Sequence, residues 1–370
     1  MSDIRLKSFT IKGYKTIKEI NHFEPRPINV LIGPNGSGKS NFLSFFQFLR
    51  WMLYSDGKLQ EQIAYLGGAN DILHDGADIT KMIEAEFAIE TPQGINEYQF
   101  SLMFAKPDKL VFREEKYRFS AFAKIEKGQE ASWSLLGSGH EEARLPQVDN
   151  KTAASILGLL RKLMIYQFHN TNDTAPLRLK WSINDSRWLK QNGDNLGSFL
   201  YRLQQQEKPY YLRIIKYLRL VLPFFDDFEL YDEFGKVLLR WKEKGTQKVF
   251  NAGQASDGML RTIALITLLA QNPKNLPAVL FLDEPELGLH PSAIDTLTGL
   301  IKTVSTHCQV FLATQSVDLV NHFELDDLVV IDRKARYSEY SRPDAKQLKV
   351  YLEDFSTGEI WEKNIIGGRP

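Results

Sequence analysis

An eight-residue stretch near the amino terminus combines glycines, a lysine and a serine in an order suited to binding phosphate. It consists of Gly33-Pro34-Asn35-Gly36-Ser37-Gly38-Lys39-Ser40 and fits the pattern G-x-x-x-x-G-K-[ST]. In such a P-loop, backbone N–H groups point into one concavity, and the amino terminus of the next helix adds partial positive charge. We expect Lys39 to reach the β- and γ-phosphates of ATP and the Ser40 hydroxyl to ligate Mg²⁺. Residues 33–40 and the following Asn41 are therefore the candidate nucleotide-binding set.

A second candidate group follows a long way downstream, where an apolar run ends in two acids. The run 278–282 is Ala-Val-Leu-Phe-Leu, and Asp283 and Glu284 come directly after it. Asp283 is placed to hold Mg²⁺, directly or through water. Glu284 would orient and deprotonate an attacking water. Neighbouring side chains on a strand point in opposite directions, so we expect the two acids to have different roles.

Both groups need strands and helices to position them, and the surrounding pattern supplies these. The run 27–32 is typical of a buried strand, and residues 41–53 are long enough for a helix. Further buried strands are predicted at 276–282, 309–314 and 328–331, with helices between them. Strands that alternate with helices imply a mostly parallel sheet.

The remaining segments do not follow this alternation. Residues 82–136 show the period-two pattern of an inserted antiparallel β meander, and residues 196–222 are strongly helical with a break near Lys208-Pro209. We therefore predict an α/β fold with a mostly parallel core sheet, an antiparallel insertion and a helical lobe. The predicted segments are 1–136 (first part of the core), 137–250 (helical lobe and connecting hairpin), 251–335 (second part of the core) and 336–370 (a tail of unassigned role).

Composition favours a globular protein that does not span a membrane. The chain has 370 residues with 46 Lys+Arg and 46 Asp+Glu, so no overall basic field favours nucleic acid. The single cysteine, Cys308, excludes an internal disulfide framework. The first residues show no signal peptide, and no apolar run reaches the length of a membrane span. These features predict a cytoplasmic protein.

With both motifs in place, the chain resembles the ABC-type ATPase heads of the SMC/RecF/OLD class of P-loop NTPases. The family signature is L-S-G-G-Q, and residues 255–259 have Ala-Ser-Asp-Gly-Met at that position. Ser256 and Gly258 match the pattern, whereas Asp257 replaces a glycine. In the family this loop touches the γ-phosphate bound by the other subunit. The resemblance therefore implies a head-to-tail homodimer in which Ser256 and Gly258 complete the partner's site.

Two further motifs extend the resemblance. Residues 286–291 are Glu-Leu-Gly-Leu-His-Pro and resemble the D-loop of OLD- and RecF-like proteins. Gln315 occupies the switch position, where most ABC ATPases have histidine. Glutamine can donate a hydrogen bond to a γ-phosphate oxygen but cannot take up a proton, which is consistent with slow hydrolysis. Gln167, at the end of a predicted strand, is the candidate Q-loop residue.

The function implied is an Mg²⁺-dependent ATPase whose dimer switches a partner protein or a DNA complex. The chain also resembles ATPases of bacterial defence operons that occur beside a Toprim-type nuclease, which implies a separate effector of that type. One alternative is an ATP-dependent clamp with slow turnover, on DNA or on a protein. An ATPase with intrinsic nuclease activity is less favoured, because no acidic cluster with metal-ligand spacing stands out in residues 337–370.

Overall fold

A six-stranded, mostly parallel sheet lies at the centre of the computed structural model, which describes residues 4–54, 59–129 and 131–369. Residues 1–3, on which the expected absence of a signal peptide partly depends, lie outside the described ranges. The amino-terminal elements are β1 (Arg5–Tyr14), β2 (Ile17–Phe23), β3 (Ile28–Ile32), α1 (Lys39–Leu53), α2 (Leu59–Tyr65), α3 (Ala69–Ile72), β4 (Met82–Thr91), β5 (Gly94–Ala105), β6 (Lys109–Ala121), α4 (Phe122–Ile125) and β7 (Ser134–Gly137).

The rest of the chain continues this alternation of strands and helices. The middle elements are α5 (Lys151–Leu160), β8 (Leu163–Tyr166), β9 (Trp181–Ser182), α6 (Leu196–Gln206), α7 (Lys208–Val221), β10 (Phe225–Phe228), β11 (Lys236–Val237), β12 (Arg240–Glu243) and β13 (Val249–Asn251). The carboxyl-terminal elements are α8 (Asp257–Ala270), β14 (Val279–Asp283), α9 (Pro291–Ser305), β15 (Gln309–Thr314), α10 (Val317–Val320), β16 (Leu328–Lys334), β17 (Tyr337–Ser341) and α11 (Thr357–Glu362).

The central sheet has the strand order β17-β16-β3-β15-β14-β8. All neighbouring pairs in it are parallel except β16 with β17, which forms an antiparallel edge. Every residue of β3 and β15 is buried, as expected for parallel strands that are covered on both faces. The carboxyl ends of β3, β15, β14 and β8 therefore meet at one edge of the sheet, and the observed architecture confirms the predicted fold class.

An antiparallel sheet with the order β2-β1-β4-β5-β6-β7 covers one face. The predicted meander is present, and it extends the amino-terminal hairpin because β1 pairs with β4. The register of β1 shifts between Leu6 and Ser8, which marks a β-bulge. This bulge explains why Leu6 and Phe9, three residues apart, are both buried on the core side of a strand.

The two faces of the central sheet have separate hydrophobic cores. One core packs the antiparallel sheet against α1, whose Phe42, Phe45 and Phe46 are fully buried. The other contains side chains of α6, α7, α8 and α9. Helix α5 packs on α1, β5 and β6, so it belongs to the first core although the predicted segment 137–250 assigned it to the helical lobe. The structure therefore divides the chain by sheet face rather than at residue 137.

The helical lobe and the tail show two features that the sequence did not specify. Asn195 directly precedes α6, and its side-chain amide donates to the carbonyls of Asp185 and Trp188 and does not cap the helix. The tail forms the edge strand β17 and the helix α11, and Trp361 of that helix is fully buried. The tail is therefore part of the folded core.

Candidate functional site

The P-loop joins β3 to α1, and its carbonyl oxygens accept hydrogen bonds from Lys39 of the same loop. Gly36 and Gly38 have φ values of 75° and 114°, in the left-handed region that glycine adopts without a steric penalty. The ammonium of Lys39 donates hydrogen bonds to the carbonyl oxygens of Gly33 at 2.6 Å and Pro34 at 3.1 Å. The loop backbone thus curls around the lysine, while Ser40 at the start of α1 is exposed.

Residues from distant parts of the chain hold the P-loop in place through hydrogen bonds. The Ser338 hydroxyl of β17 donates to the carbonyl of Ser37, and its oxygen lies 2.8 Å from Oγ1 of Thr16. The side-chain amide of Asn41, a candidate nucleotide contact, donates to the same Thr16 oxygen at 2.9 Å. Arg333 donates from Nη1 to the carbonyl of Gly36 at 3.1 Å. Sequence reasoning missed Thr16, Ser338 and Arg333, because none of them belongs to a local motif.

The acid pair lies beside the loop because of strand register. Asp283, the last residue of β14, is level with Ala313 of β15, and Ala313 is level with Leu31 of β3. Two strand spacings of about 4.8 Å therefore separate the backbone of Asp283 from that of β3 by roughly 10 Å. The amide of Gln167, which follows β8, donates from Nε2 to Oδ2 of Asp283 at 2.8 Å. The structure thus brings Gln167 and Asp283 together.

Glu284 sits at a sharp backbone turn and is held by the switch segment. Its φ of 43° lies in the left-handed region, which residues with a side chain rarely adopt. Its N–H donates to the carbonyl of Ala313 at 2.8 Å. Gln315, directly after β15, donates from Nε2 to Oε1 of Glu284 at 2.8 Å. The predicted base and the predicted switch residue are therefore in direct contact.

A third carboxylate, Glu286, is largely buried near Glu284. Thr314 donates from Oγ1 to Oε1 of Glu286 at 2.5 Å, and the same Thr314 oxygen accepts from the N–H of Ser316. Burial raises the pKa of Glu286, and the nearby Glu284 raises it further. Glu286 therefore links the D-loop to the switch segment, a role that the D-loop resemblance alone did not indicate.

Electrostatic effects within the site are mutual. Burial lowers the pKa of the Lys39 ammonium, and the carboxylates of Glu284 and Asp283 oppose that effect. Burial also raises the pKa of Asp283, and the charge of Glu284 raises it further. The hydrogen bond from the Gln167 amide and the positive charge of Lys39 both lower the pKa of Asp283. These couplings show that the P-loop lysine and the two acids act on one another as one cluster.

The signature loop is built as a capped helix start that touches the D-loop. The Ser256 hydroxyl accepts a hydrogen bond from the N–H of Met259 at 3.2 Å and caps α8, which begins at Asp257. A Cβ at Gly258 would lie 2.6 Å from the carbonyl oxygen of Gly288. Glycine at 258 is thus required by close approach of the D-loop, and Ser256 remains exposed.

Two arginines connect this loop to the rest of the site. The buried Arg178 donates from Nη1 to the carbonyls of Ala252 and Ala255, and from Nη2 to Oδ1 of Asp257 at 2.8 Å. Arg261 of α8 donates to the carbonyl of Phe168 at 3.1 Å and more weakly to neighbouring carbonyls. Sequence reasoning assigned no role to either arginine, because each acts across a large sequence separation.

The residues present suit a nucleoside triphosphate and Mg²⁺. The hydroxyl of Ser40 and the carboxylate of Asp283 are hard oxygen donors, which magnesium prefers. The positive φ values of Gly36 and Gly38 and the folding of the loop around Lys39 are those of a loop that can bind phosphate. Within the described ranges, no group of three or more His, Cys, Asp or Glu side chains could hold a metal by itself. A metal at this site would therefore depend on phosphate oxygens as further ligands.

Comparison with known families decides the class of the chain. Residues 28–321 match AAA_21, a family described as "AAA domain, putative AbiEii toxin, Type IV TA system". The chain belongs to the AAA_21 family. The matched span contains the P-loop, the acid pair, the signature loop and the switch residue.

Individual relatives agree with this family assignment. The Old nuclease of Escherichia phage P2 is 23% identical over 366 residues, which cover 86% of this chain and 57% of that relative. The energy-coupling factor transporter ATP-binding protein EcfA2 of Staphylococcus epidermidis is 32% identical over 90 residues, 24% of this chain and 30% of that relative. The chain thus spans little more than half the length of Old nuclease.

A solved structure supports the same fold. The Smc head domain of Pyrococcus furiosus, with an extended coiled coil and bound to the C-terminal domain of ScpA, aligns with a TM-score of 0.58 at 13% identity. The alignment covers 95% of this chain and 99% of that one. Together with the family match, this similarity places the AAA_21 chain among the ABC/SMC/OLD-like P-loop ATPases. No helix in the part of the chain that the structure describes is long and apolar enough to cross a membrane.

Proposed function

We propose that the chain binds ATP with Mg²⁺ and hydrolyses it at the edge where β3, β8, β14 and β15 end. The observation that carries this proposal is the 2.8 Å hydrogen bond from Gln315 to Glu284, which orients one carboxylate beside the P-loop. A base must be oriented before it can take a proton from an attacking water. The convergence of Lys39, Asp283 and Glu284 at the same edge supports the proposal further.

In the proposed reaction each side chain has a separate task. Lys39 and the loop N–H groups bind the β- and γ-phosphates and stabilise the charge that develops on them. Gln315 holds Oε1 of Glu284, and the other carboxylate oxygen accepts the proton of the attacking water. Mg²⁺ held by Ser40 and Asp283 would supply positive charge against the phosphate oxygens. Gln167 keeps the Asp283 carboxylate in place through its hydrogen bond.

The proposed active form is a head-to-tail homodimer. Ser256 is exposed at the start of α8, where free N–H groups and the helix terminus suit an anion. The contact of Gly258 with Gly288 joins the signature loop to the D-loop, so one surface presents both. Two-fold symmetry would place this surface against the P-loop of the partner and produce a closed assembly.

The proposed biological role is to switch a separate effector when the dimer closes or opens. The similarity to Old nuclease supports an effector that acts on nucleic acid, and the Toprim-type nuclease expected from the resemblance is one such effector. DNA itself is a further proposed partner, because Old nuclease, to which the chain is similar, is named as a nuclease. These partners belong to a role in bacterial DNA maintenance or anti-phage defence.

The test is the solution mass of the Glu284→Gln protein, measured by light scattering with and without ATP and Mg²⁺. Blocking hydrolysis should trap the closed form, so the mass should double only when both are present. A Glu284→Gln, Ser256→Arg protein, which still contains the P-loop, is the matched control and should bind ATP without doubling. A single mass under all conditions, in protein that demonstrably binds ATP, would overturn the trans-acting signature.

A second candidate function is an ATP-dependent clamp with slow turnover. The observation that favours it is again the contact between Gln315 and Glu284. Gln315 engages one oxygen of Glu284, and glutamine cannot itself accept a proton. A single-turnover experiment, which measures how fast bound ATP is hydrolysed, separates the two candidates. A clamp would hold ATP unhydrolysed for much longer than the nucleotide takes to bind.

A further inference from the structure

A cavity of about 1060 Å³ lies at the edge of the central sheet opposite the P-loop. Residues 276–278, which directly precede β14, form part of its lining, and so does His307, which lies shortly before β15. Asp283 lies at the other end of β14. Five residues at about 3.3 Å each separate the two ends by roughly 16 Å. The cavity is therefore separate from the proposed ATPase site.

The charge around this cavity has one sign. Lys151, Lys162 and Lys274 line it, and neither aspartate nor glutamate is among its lining residues. Within residues 4–54, 59–129 and 131–369, no ion pair within 4 Å engages any of the three lysines. Some other surface lysines are paired, as Lys109 is with Glu141 at 3.0 Å. The three ammonium groups are therefore available to an anion.

Between the lysines the lining combines polar side chains with an apolar part that includes an exposed ring. Phe119 of β6 is 36% exposed, and Leu276 and Pro277 form a neighbouring apolar wall. The buried side-chain amide of Asn96 is 3% exposed, and its Nδ2 makes only a long 3.4 Å contact with Thr91. A cavity with apolar walls and a few convergent polar groups is the usual form of a small-molecule site. A flat ring could stack on Phe119 while an attached anion reaches the lysines.

Helix α5 leaves space on the side that faces this cavity. Lys151, Ser155 and Gly158 follow helical spacing and share that face, and Lys162 follows the end of the helix. A Cβ built at Gly158 meets no atom within 4 Å, so a larger side chain there would project into open space. The opposite face of α5 is buried in the core. The cavity can therefore be blocked at residue 158 without disturbing the core.

We propose that this cavity is a second binding site, for a small nucleotide in which a sugar joins a phosphate to a flat base. The three lysines bind the phosphate, and Phe119 and the apolar wall bind the base. An acidic peptide would use the lysines but has no flat base for Phe119. The proposal goes beyond the ATPase function and does not depend on it.

Binding is tested by isothermal titration with the 5′-phosphorylated dinucleotide of deoxyadenosine at low salt. The full chain carries Lys39→Ala, which removes phosphate binding at the P-loop. We expect a Kd tighter than about 1 mM. Joint replacement Lys151→Gln, Lys162→Gln and Lys274→Gln should weaken binding at least about tenfold, since three attractive charges are lost. Gly158→Phe should abolish binding, and Phe119→Leu should weaken it several-fold.

The matched control replaces three other exposed lysines, Lys124, Lys216 and Lys349, with glutamine and should leave the Kd unchanged. In the wild-type background, the cavity lysine variant should retain full ATPase activity. Absence of dinucleotide binding to folded protein would overturn the proposal. So would binding that survives both the lysine replacements and Gly158→Phe. Binding of a twelve-nucleotide strand without binding of the dinucleotide would assign the cavity to nucleic acid and overturn the small-ligand proposal.

Discussion

Gln315 donates a 2.8 Å hydrogen bond from its side-chain amide to Oε1 of Glu284, although 31 residues separate them. Gln315 follows β15, whereas Glu284 follows β14, and these parallel strands are neighbours. The contact therefore depends on the sheet rather than on the local sequence. It also unites the two residues whose chemistry the proposed hydrolysis needs most.

Removing the Gln315 amide should slow hydrolysis without preventing ATP binding. A hydrogen bond to a charged group contributes about 1.5–3 kcal/mol, so Gln315→Ala should lower kcat by roughly ten- to hundredfold. Glu284→Gln, which removes the base itself, should lower kcat by about 10²–10⁴-fold. Steady-state ATPase assays check both values. An unchanged kcat in Gln315→Ala would show that this contact does not orient the base.

A side chain at Gly258 should separate the signature loop from the D-loop. The Cβ of Gly258→Ala would lie 2.6 Å from the carbonyl oxygen of Gly288, so the backbone has to move. Overpacking of this kind costs about 1–3 kcal/mol, and the displaced loop should also reduce ATPase activity. Gly299→Ala in α9 is the matched control, because its Cβ meets no atom within 4 Å.

The control should become more stable by about 0.5–1 kcal/mol, since alanine favours a helix over glycine. Thermal unfolding and ATPase assays on both variants measure the difference. Equal stability and equal activity of the two variants would contradict the close contact between Gly258 and Gly288.

Loss of the Ser338 hydroxyl should make the P-loop less well ordered. Ser338→Ala removes the donor to the Ser37 carbonyl and the contact with Thr16, at an expected cost of about 0.5–1.5 kcal/mol of unfolding free energy. ATP affinity should fall several-fold, because the loop is less well ordered before it binds. Ser341→Ala, at an exposed position of the same strand, should change neither quantity. Urea denaturation and nucleotide titration check both expectations.

The buried carboxyl of Glu286 predicts a pH dependence of stability. Burial raises its pKa, so the folded protein binds this proton more tightly than the unfolded chain does. The free energy of unfolding therefore falls as pH rises from the ordinary glutamate value of 4.5 through the higher folded value, and it stays lower above that. Glu286→Gln retains an oxygen for Thr314 and should remove this loss.

Urea denaturation at about pH 4 and about pH 8 measures the effect. Relative to the wild type, Glu286→Gln should gain stability as the pH increases. Glu61→Gln, at an exposed position of α2, should follow the wild type at both values. A gap between Glu286→Gln and the wild type that is constant with pH would show that the carboxyl has no raised pKa.

Contiguous motifs made much of the site predictable from the sequence alone. The residues of the P-loop are neighbours in the chain, so their order already expresses the chemistry of phosphate binding. Asp283 and Glu284 follow a fully apolar run, which places them at a strand end whatever the rest of the fold is. The alternation of buried strands with helices likewise determined the class of the central sheet, because the spacing of apolar residues is a local property.

Only the tertiary structure decided which distant residues support these motifs. Ser338 lies 301 residues after Ser37, and Gln167 lies 116 residues before Asp283. Such contacts depend on strand order and on register, and a shift of one residue would turn each side chain to the opposite face of the sheet. The roles of Arg178 and Glu286 could not be predicted from the sequence for the same reason. Local sequence determines which chemistry is available, and packing determines which side chains share it.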